Sequence, residues 1–252
     1  MTQLAAPSRD VFEDLEAEDE RLEAILAGLD DDLWASPSDA AGWTVRDVVV
    51  HLMQTDEQVM RAIAGTAMGQ LWKSSGVGTL DEAVDRAVRA EAGPAEVIFE
   101  RWRAARRAAL AALRKADPTR AVPWAAAPLK PKALTTTRLA EHWAHGLDIT
   151  GPLGIAFPDT DRLHHIAWLA HRSLPYALSL VGEEPHVMFC ELSGPSGDTW
   201  TFGPADADSA IRGPAGDFCR VGARRLSPEA SHLKSTGPHG TAALRALRNY
   251  AA

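Results

Sequence analysis

Helical periodicity dominates the first 180 residues of the chain and then gives way to short alternating segments. Apolar residues recur three and four positions apart in five stretches, and this spacing predicts helices. The predicted helices cover about 8–30, a stretch from 44 onward, 94–115, 134–150 and 159–181. Strands are predicted at 186–192, 199–202 and 208–212 and near 232–235, because turn residues separate these segments. Short helices are predicted at 215–223 and 241–250, and a Gly- and Ser-containing loop at 69–80.

This order of elements predicts an α+β protein with two parts. An N-terminal four-helix bundle, residues 1–155, precedes a small C-terminal α+β domain, residues 156–252. The boundary lies near 155 or nearer 183, because the fifth predicted helix fits either part. Hydrophobic residues make up 46% of the 252 positions and charged residues 24%, a balance that excludes a wholly disordered chain.

The charge distribution excludes one large class of partner. The formal net charge is −8, so binding to nucleic acid through neutralisation of phosphates is not expected. Most of the excess acid lies in the first predicted helix, which we interpret as a solvated helix face. No apolar run is long enough to cross a bilayer, and neither a signal peptide nor a disulfide framework is visible, so we expect a cytoplasmic protein. The sequence indicates no oligomeric state.

One face of the fourth predicted helix collects groups that can bind a metal. Arg138, Glu141, His145 and Asp148 fall within an arc of roughly 80° at 100° per residue. Glu141 and His145 lie one turn apart, so both can reach one point, as two ligands of a single ion do. Asp148 is then placed to orient His145. The alternative interpretation is an exposed face with ordinary ion pairs one turn apart.

A third ligand candidate comes from the second predicted helix, which Thr44 and Asp47 begin as a capping box. His51 lies at the flank of the apolar stripe of this helix, where it would face a neighbouring helix of a bundle. With Glu141 and His145 it would complete a set of two histidines and one carboxylate, which leaves a coordination position open. Asp56 lies in the same stripe and is a candidate supporting group. The alternative for His51 is a core histidine with a satisfied hydrogen bond.

Two segments of the chain resemble a known family. Residues 42–52 read GWTVRDVVVHL and residues 138–148 read RLAEHWAHGLD. They are similar to the two metal-ligand motifs of the mycothiol-dependent maleylpyruvate isomerase family, within the DinB-like four-helix superfamily. The chain looks closest to an uncharacterised actinobacterial branch with Trp-Ala-His-Gly, here at positions 143–146. The resemblance implies a DinB-like bundle followed by a small α+β domain, and His51, Glu141 and His145 as ligands of Zn²⁺ or another divalent metal.

The resemblance also implies a chemistry. A metal-bound thiol cofactor, mycothiol, would add to a small electrophilic substrate. The reaction would be an isomerisation of the maleylpyruvate type or an S-transfer, in which the thiol stays attached to the substrate. An arginine of the C-terminal part would hold a substrate carboxylate, with Arg225 as the best match, then Arg224; Arg138 is a further catalytic candidate. Cys190 and Cys219 lie among apolar residues and are predicted to be inert. The alternatives are a hydrolase that uses metal-bound water and a non-catalytic metal-binding stress protein.

Overall fold

The computed structural model describes residues 10–65, 79–124 and 127–250, and these divide into two compact units. The helical unit comprises residues 11–157, and the α+β unit comprises the residues from 158 onward. Helices fill the first unit, and the second adds a four-stranded sheet to its helices. The predicted α+β class is therefore confirmed. Within the described residues, no helix is both long and apolar enough for a bilayer crossing.

The helical unit contains six described helices. They are α1 (Val11–Leu26), α2 (Asp31–Ala35), α3 (Val45–Ile63), α4 (Leu80–Ala90), α5 (Ala95–Lys115) and α6 (Pro131–Thr150). The four longest, α1, α3, α5 and α6, pack together as the predicted bundle. The first helix is shorter than the predicted 8–30. The predicted loop at 69–80 was wrong at its end, where Thr79 caps α4; residues 66–78 lie outside the described residues.

Helix α3 begins where the capping box predicts. The Thr44 side chain accepts a hydrogen bond from the Asp47 backbone N–H at 3.2 Å, and the Asp47 side chain accepts one from the Thr44 N–H at 3.1 Å. Such a cap stabilises a helix by about 1 kcal/mol. Its apolar residues are buried against α5, where Trp102 is fully covered. His51 lies two turns into this helix, so the cap and the packing of the helix fix the position of its backbone.

The interpretation of α1 as a solvated acidic face was wrong. Three of its acidic side chains, Asp14, Glu18 and Asp19, are at most 2% exposed. The arginines of α5 explain part of this arrangement. Glu23 of α1 forms ion pairs with three of them: Arg103, Arg106 and Arg107. Charges that look like two separate solvated faces in the sequence thus neutralise each other between two helices.

The α+β unit follows the predicted order of elements. It contains α7 (Leu163–Leu180), β1 (Phe189–Ser193), β2 (Thr199–Phe202), β3 (Ala210–Pro214), α8 (Ala215–Gly222), a short 3₁₀ turn (Pro228–Ala230), β4 (Lys234–Thr236) and α9 (Gly240–Ala246). The sheet order is β2-β1-β3-β4, with β1 and β3 parallel and the other two pairs antiparallel. Both cysteines are buried here, and burial raises the pKa of Cys190 to about 12 and that of Cys219 well above its usual range. The predicted position of both thiols among apolar residues is confirmed, and their inertness stays a prediction.

His171 of α7 is expected to make the stability of the protein sensitive to acid. Its Nε2 lies 2.9 Å from the Met188 carbonyl oxygen, and burial lowers its pKa below the ordinary 6.5. The unfolded chain therefore gains a proton at a higher pH than the folded chain, so stability present above pH 6.5 is lost as the pH falls. We expect His171→Gln, which keeps an N–H donor but does not titrate, to remove up to about 1 kcal/mol of the stability loss between pH 6.5 and 5.5. Urea unfolding of both proteins at both pH values measures this difference, and equal losses would contradict it.

Candidate metal centre

Three side chains from two distant segments of the sequence come together inside the helical unit. His51 is supplied by α3, and Glu141 and His145 are supplied by successive turns of α6. One potential ligand atom from each lies within 4.8 Å of the other two. Nε2 of His51 is 2.7 Å from Oε1 of Glu141. His51 is buried, whereas Glu141 and His145 are partly exposed, so solvent or a small molecule can reach the cluster.

Asp148 fixes the orientation of His145. Its carboxylate lies 2.8 Å from Nδ1 of His145 and is itself buried. A proton on Nδ1 that is donated to this carboxylate leaves Nε2 of His145 free of its proton, as a metal ligand must be. Burial lowers the pKa of His145, although the hydrogen bond to Asp148 acts in the opposite direction. The neutral imidazole is therefore the favoured form at neutral pH.

Glu141 is held as a carboxylate. Burial raises the pKa of its side chain, but Arg138, His51 and His145 together outweigh burial and bring the pKa far below its ordinary value. Nη1 of Arg138 donates to Oε2 of Glu141 at 2.6 Å, which leaves Oε1 directed at His51. The cluster thus offers two imidazoles and one ionised carboxylate, a donor set that suits Zn²⁺ and related divalent ions.

Arg138 is fully buried, which excludes the alternative of an ordinary solvated helix face. Each of its three nitrogens donates a hydrogen bond: Nε to Asp56 at 3.1 Å, Nη1 to Glu141 and Nη2 to Thr55 at 2.8 Å. Both Asp56 and Thr55 lie on α3. This geometry ties the ligand carboxylate of α6 to the helix that supplies His51. It favours a role in which Arg138 holds Glu141; the catalytic role predicted for Arg138 stays a prediction.

His142 has a partner set that the sequence did not reveal. The side chain is buried between two carboxylates. Its Nδ1 lies 2.9 Å from Asp19 of α1, and its Nε2 lies 3.2 Å from Asp56. Burial lowers the pKa of His142, but the two carboxylates outweigh burial and raise it to about 10. Asp19, His142, Asp56, Arg138 and Glu141 thereby form a continuous row of alternating charges, the buried charge row, which reaches from α1 to the cluster.

Trp43 is a further side chain at the cluster that spacing alone did not indicate. Its ring centroid lies 5.3 Å from that of His51 and 6.5 Å from that of His145. The two imidazoles are 4.9 Å apart and nearly perpendicular. The indole Nε1 donates a hydrogen bond of 2.8 Å to Asp85 of α4. Trp43 therefore borders both histidines. Its indole is held in place by α4, which carries none of the three residues of the cluster.

Gly146 is required by the packing beside His145. A Cβ at this position would lie 2.5 Å from Cζ of Phe157, whose ring has the Arg21 guanidinium stacked at 3.5 Å from its centroid. Because the ring already contacts both Gly146 and Arg21, we expect Gly146→Ala to destabilise the protein by about 1–3 kcal/mol despite the better helix propensity of alanine. Thermal unfolding measures this change. Ala133→Gly, at a partly exposed position of the same helix, is a comparison for helix propensity. A stabilised Gly146→Ala variant would show that the ring moves freely.

The predicted arginines of the C-terminal part lie in the α+β unit, directly after α8. Arg224 and Arg225 are both exposed, and Arg224 has a positive φ of 62°. Nη1 of Arg224 lies 3.3 Å from the Arg245 carbonyl oxygen, and Nη1 of Arg225 donates to the Ala223 carbonyl oxygen at 2.6 Å. Their role in binding a substrate carboxylate stays a prediction.

Comparison with known proteins identifies the helical unit. Residues 15–150 match the family described as the mycothiol maleylpyruvate isomerase N-terminal domain. The chain belongs to this family. The match to the mycothiol maleylpyruvate isomerase N-terminal domain includes all three residues of the cluster, and so confirms the resemblance that the two motifs carry.

Relatives and solved structures extend the similarity beyond that domain. Two uncharacterised proteins of Mycobacterium tuberculosis, from strains CDC 1551 and H37Rv, are each 35% identical over 230 residues, 89% of this chain and 88% of theirs. Crystal structures of the mycothiol-dependent maleylpyruvate isomerase and of a histidine-to-alanine variant share the fold. Their TM-scores are 0.57 and 0.60, at 13% and 14% identity, and each match covers 92% of this chain and 93% of the other.

Proposed function

We propose that this protein is a divalent-metal-dependent enzyme, most simply a zinc enzyme, that uses mycothiol to attack a small electrophilic substrate. The observation that carries the proposal is the convergence of His51, Glu141 and His145 on one point. Membership of a family named for a mycothiol-dependent isomerase supports the choice of thiol and of reaction class. The reaction is an isomerisation of the maleylpyruvate type or a transfer of the thiol to the substrate.

The residues present fit a divalent ion. Two imidazole nitrogens and one carboxylate oxygen would hold it and leave a position open for an exogenous ligand. A divalent ion bound there would lower the pKa of a coordinated thiol and so favour the nucleophilic thiolate at neutral pH. Partial exposure of Glu141 and His145 leaves a route by which the thiol can approach.

The remaining task of the chain is to keep the three ligands in their binding forms. Asp148 holds the proton on Nδ1 of His145, and Arg138 keeps Glu141 ionised and directed at His51. The protein thiols take no part, because Cys190 and Cys219 are buried in the α+β unit with raised pKa values. The nucleophilic sulfur must therefore be supplied by an added small molecule.

The experiment that tests this proposal measures whether mycothiol coordinates the bound metal through its sulfur. Protein loaded with Co²⁺ is titrated with mycothiol, and a thiolate-to-cobalt charge-transfer absorption is expected to saturate at about one equivalent. The matched control is S-methyl mycothiol, which has the same shape but no ionisable thiol. Turnover of maleylpyruvate and of other small electrophiles is then measured with mycothiol present.

Each outcome has a separate meaning. Saturable thiol absorption followed by isomerisation or adduct formation supports the proposal. Bound metal without thiol absorption, together with hydrolysis of an amide or ester, would replace it with the hydrolase that uses metal-bound water. Failure to bind any divalent ion would overturn the metal chemistry altogether.

A further inference from the structure

Trp43 stands at the meeting point of the two histidine-bearing helices. It directly precedes Thr44, the N-cap of α3, and its indole borders the rings of both His51 and His145. Aromatic rings with centroids about 4.5–7 Å apart are in contact and prefer offset-stacked or edge-to-face arrangements. The centroid separations of 4.9, 5.3 and 6.5 Å all fall in this range. A rotation of either imidazole is therefore resisted by the indole as well as by the other imidazole.

Hydrogen bonds within its own loop fix the backbone around Trp43. Its N–H donates to the Ala40 carbonyl oxygen at 2.9 Å, and its carbonyl oxygen accepts from the backbone N–H and the hydroxyl of Ser38 at 2.9 and 2.8 Å. The same loop is tied to α6, because the Asp39 N–H donates to the Asp148 carbonyl oxygen at 2.9 Å. The loop thus contacts the residue that orients His145.

Helix α4 fixes the other end of the side chain. Asp85 accepts the indole N–H at 2.8 Å, and Arg89, one turn later, donates to the Gly42 carbonyl oxygen at 2.7 Å and pairs with Asp85 at 3.3 Å. Gly42 has a φ of +77°, a conformation that favours glycine, so the turn before Trp43 is tightly specified. Apart from Val88, the residues of α4 are at most partly buried. The hydrogen bonds of Asp85 and Arg89 therefore help to hold this helix beside the cluster.

From this arrangement we propose that Trp43 is a positioning residue for the histidine pair, and that Asp85 of α4 sets its place through the indole hydrogen bond. The effect on metal affinity rests on the proposed function, whereas the placement of the rings does not. Two side chains that lie outside the ligand set, Trp43 and Asp85, thereby determine how His51 and His145 face each other.

The test uses variants of the full chain that separate the hydrogen bond from its surroundings. Trp43→Phe keeps an aromatic ring but removes the donor, and Asp85→Ala removes the acceptor. Asp85→Asn keeps an acceptor oxygen and loses the charge that faces Arg89. Trp124→Phe is the matched control, since Trp124 is also partly buried but packs in a different cluster, around Leu134.

Metal affinity is measured by competition for Zn²⁺ with a chromogenic chelator, and geometry by the absorption spectrum of the Co²⁺ form. We expect Trp43→Phe and Asp85→Ala each to weaken Zn²⁺ binding by roughly three- to tenfold, the scale of one hydrogen bond. The double variant should be no weaker than either single variant, because both remove the same interaction. Asp85→Asn and Trp124→Phe should retain wild-type affinity and the wild-type cobalt spectrum.

A second measurement is made on the metal-free protein. NMR signals of the ring protons of His51 and His145 sense the ring current of the indole, and they should shift in Asp85→Ala but not in Asp85→Asn. Unchanged histidine shifts together with unchanged metal affinity would overturn the positioning role while leaving the metal proposal intact. If the wild type binds no metal, the proposed function fails, and the histidine shifts alone decide whether Trp43 positions the rings.

Discussion

His51→Ala is expected to reduce the bound divalent metal from about one equivalent per chain to a trace. The two ligands that remain, Glu141 and His145, lie on successive turns of α6 and approach the site from one side only. The loss of affinity should exceed the roughly 10–100-fold effect that follows removal of an outer hydrogen-bond partner. Elemental analysis of the dialysed protein measures the stoichiometry, and chelator competition measures the affinity.

The control for this variant is another histidine with no place in the cluster. His232 of the α+β unit is largely exposed and lies 2.9 Å from Asp217, so His232→Ala should leave the metal content unchanged. Far-UV circular dichroism checks that both variants fold. Full metal retention in folded His51→Ala would show that α3 supplies no ligand, and the two-helix site would have to be abandoned.

Arg138→Leu is expected to lower the free energy of unfolding by about 3–5 kcal/mol. The guanidinium is fully buried and separates two carboxylates, Asp56 at 3.1 Å and Glu141 at 2.6 Å. Removal of one member of such a group leaves charges in the interior without compensation, and this costs more than the lost contacts themselves. Urea unfolding followed by tryptophan fluorescence measures the change.

Two comparisons make this result interpretable. Arg101→Leu removes an arginine whose 2.6 Å ion pair with Glu91 lies at the surface, and the expected cost is about 1 kcal/mol or less. Arg138→Lys keeps the positive charge but cannot donate all three hydrogen bonds. Its free energy of unfolding should lie between those of the wild type and Arg138→Leu. A cost for Arg138→Leu no greater than that for Arg101→Leu would mean that the buried charge row contributes little to stability.

The parts of this molecule that local sequence encodes could be predicted. The start of α3 follows from Thr44 and Asp47, whose side chains and backbone satisfy each other within one helical turn. The meeting of Glu141 and His145 follows from their spacing on one helix, and the strands of the α+β unit follow from turn residues between alternating segments. These features depend on neighbours at most a few residues away.

The parts that depend on distant partners could not be predicted. The acidic residues of α1 and the arginines of α5 each have the pattern of a solvated face, and nothing in either segment shows that the two faces meet. His142 looks like an alternative ligand until Asp19 and Asp56 are seen on either side of it. Helix α4 is a different case, because local sequence does encode it: Leu80, Val84 and Val88 recur at helical spacing, and Thr79 and Glu82 form a capping box. It was missed although these signals are present.

The buried charge row also limits how the ion selectivity of such a centre can be altered, by design or by natural variation. Exchange of Glu141 for histidine or cysteine, to favour a softer ion, would remove the negative charge that Arg138 faces at 2.6 Å. A compensating change at Arg138 would then leave Asp56 facing only His142, whose other partner is Asp19 of α1. We therefore expect these five positions to be exchanged together or not at all, so that a new metal preference requires a rebuilt bundle interior.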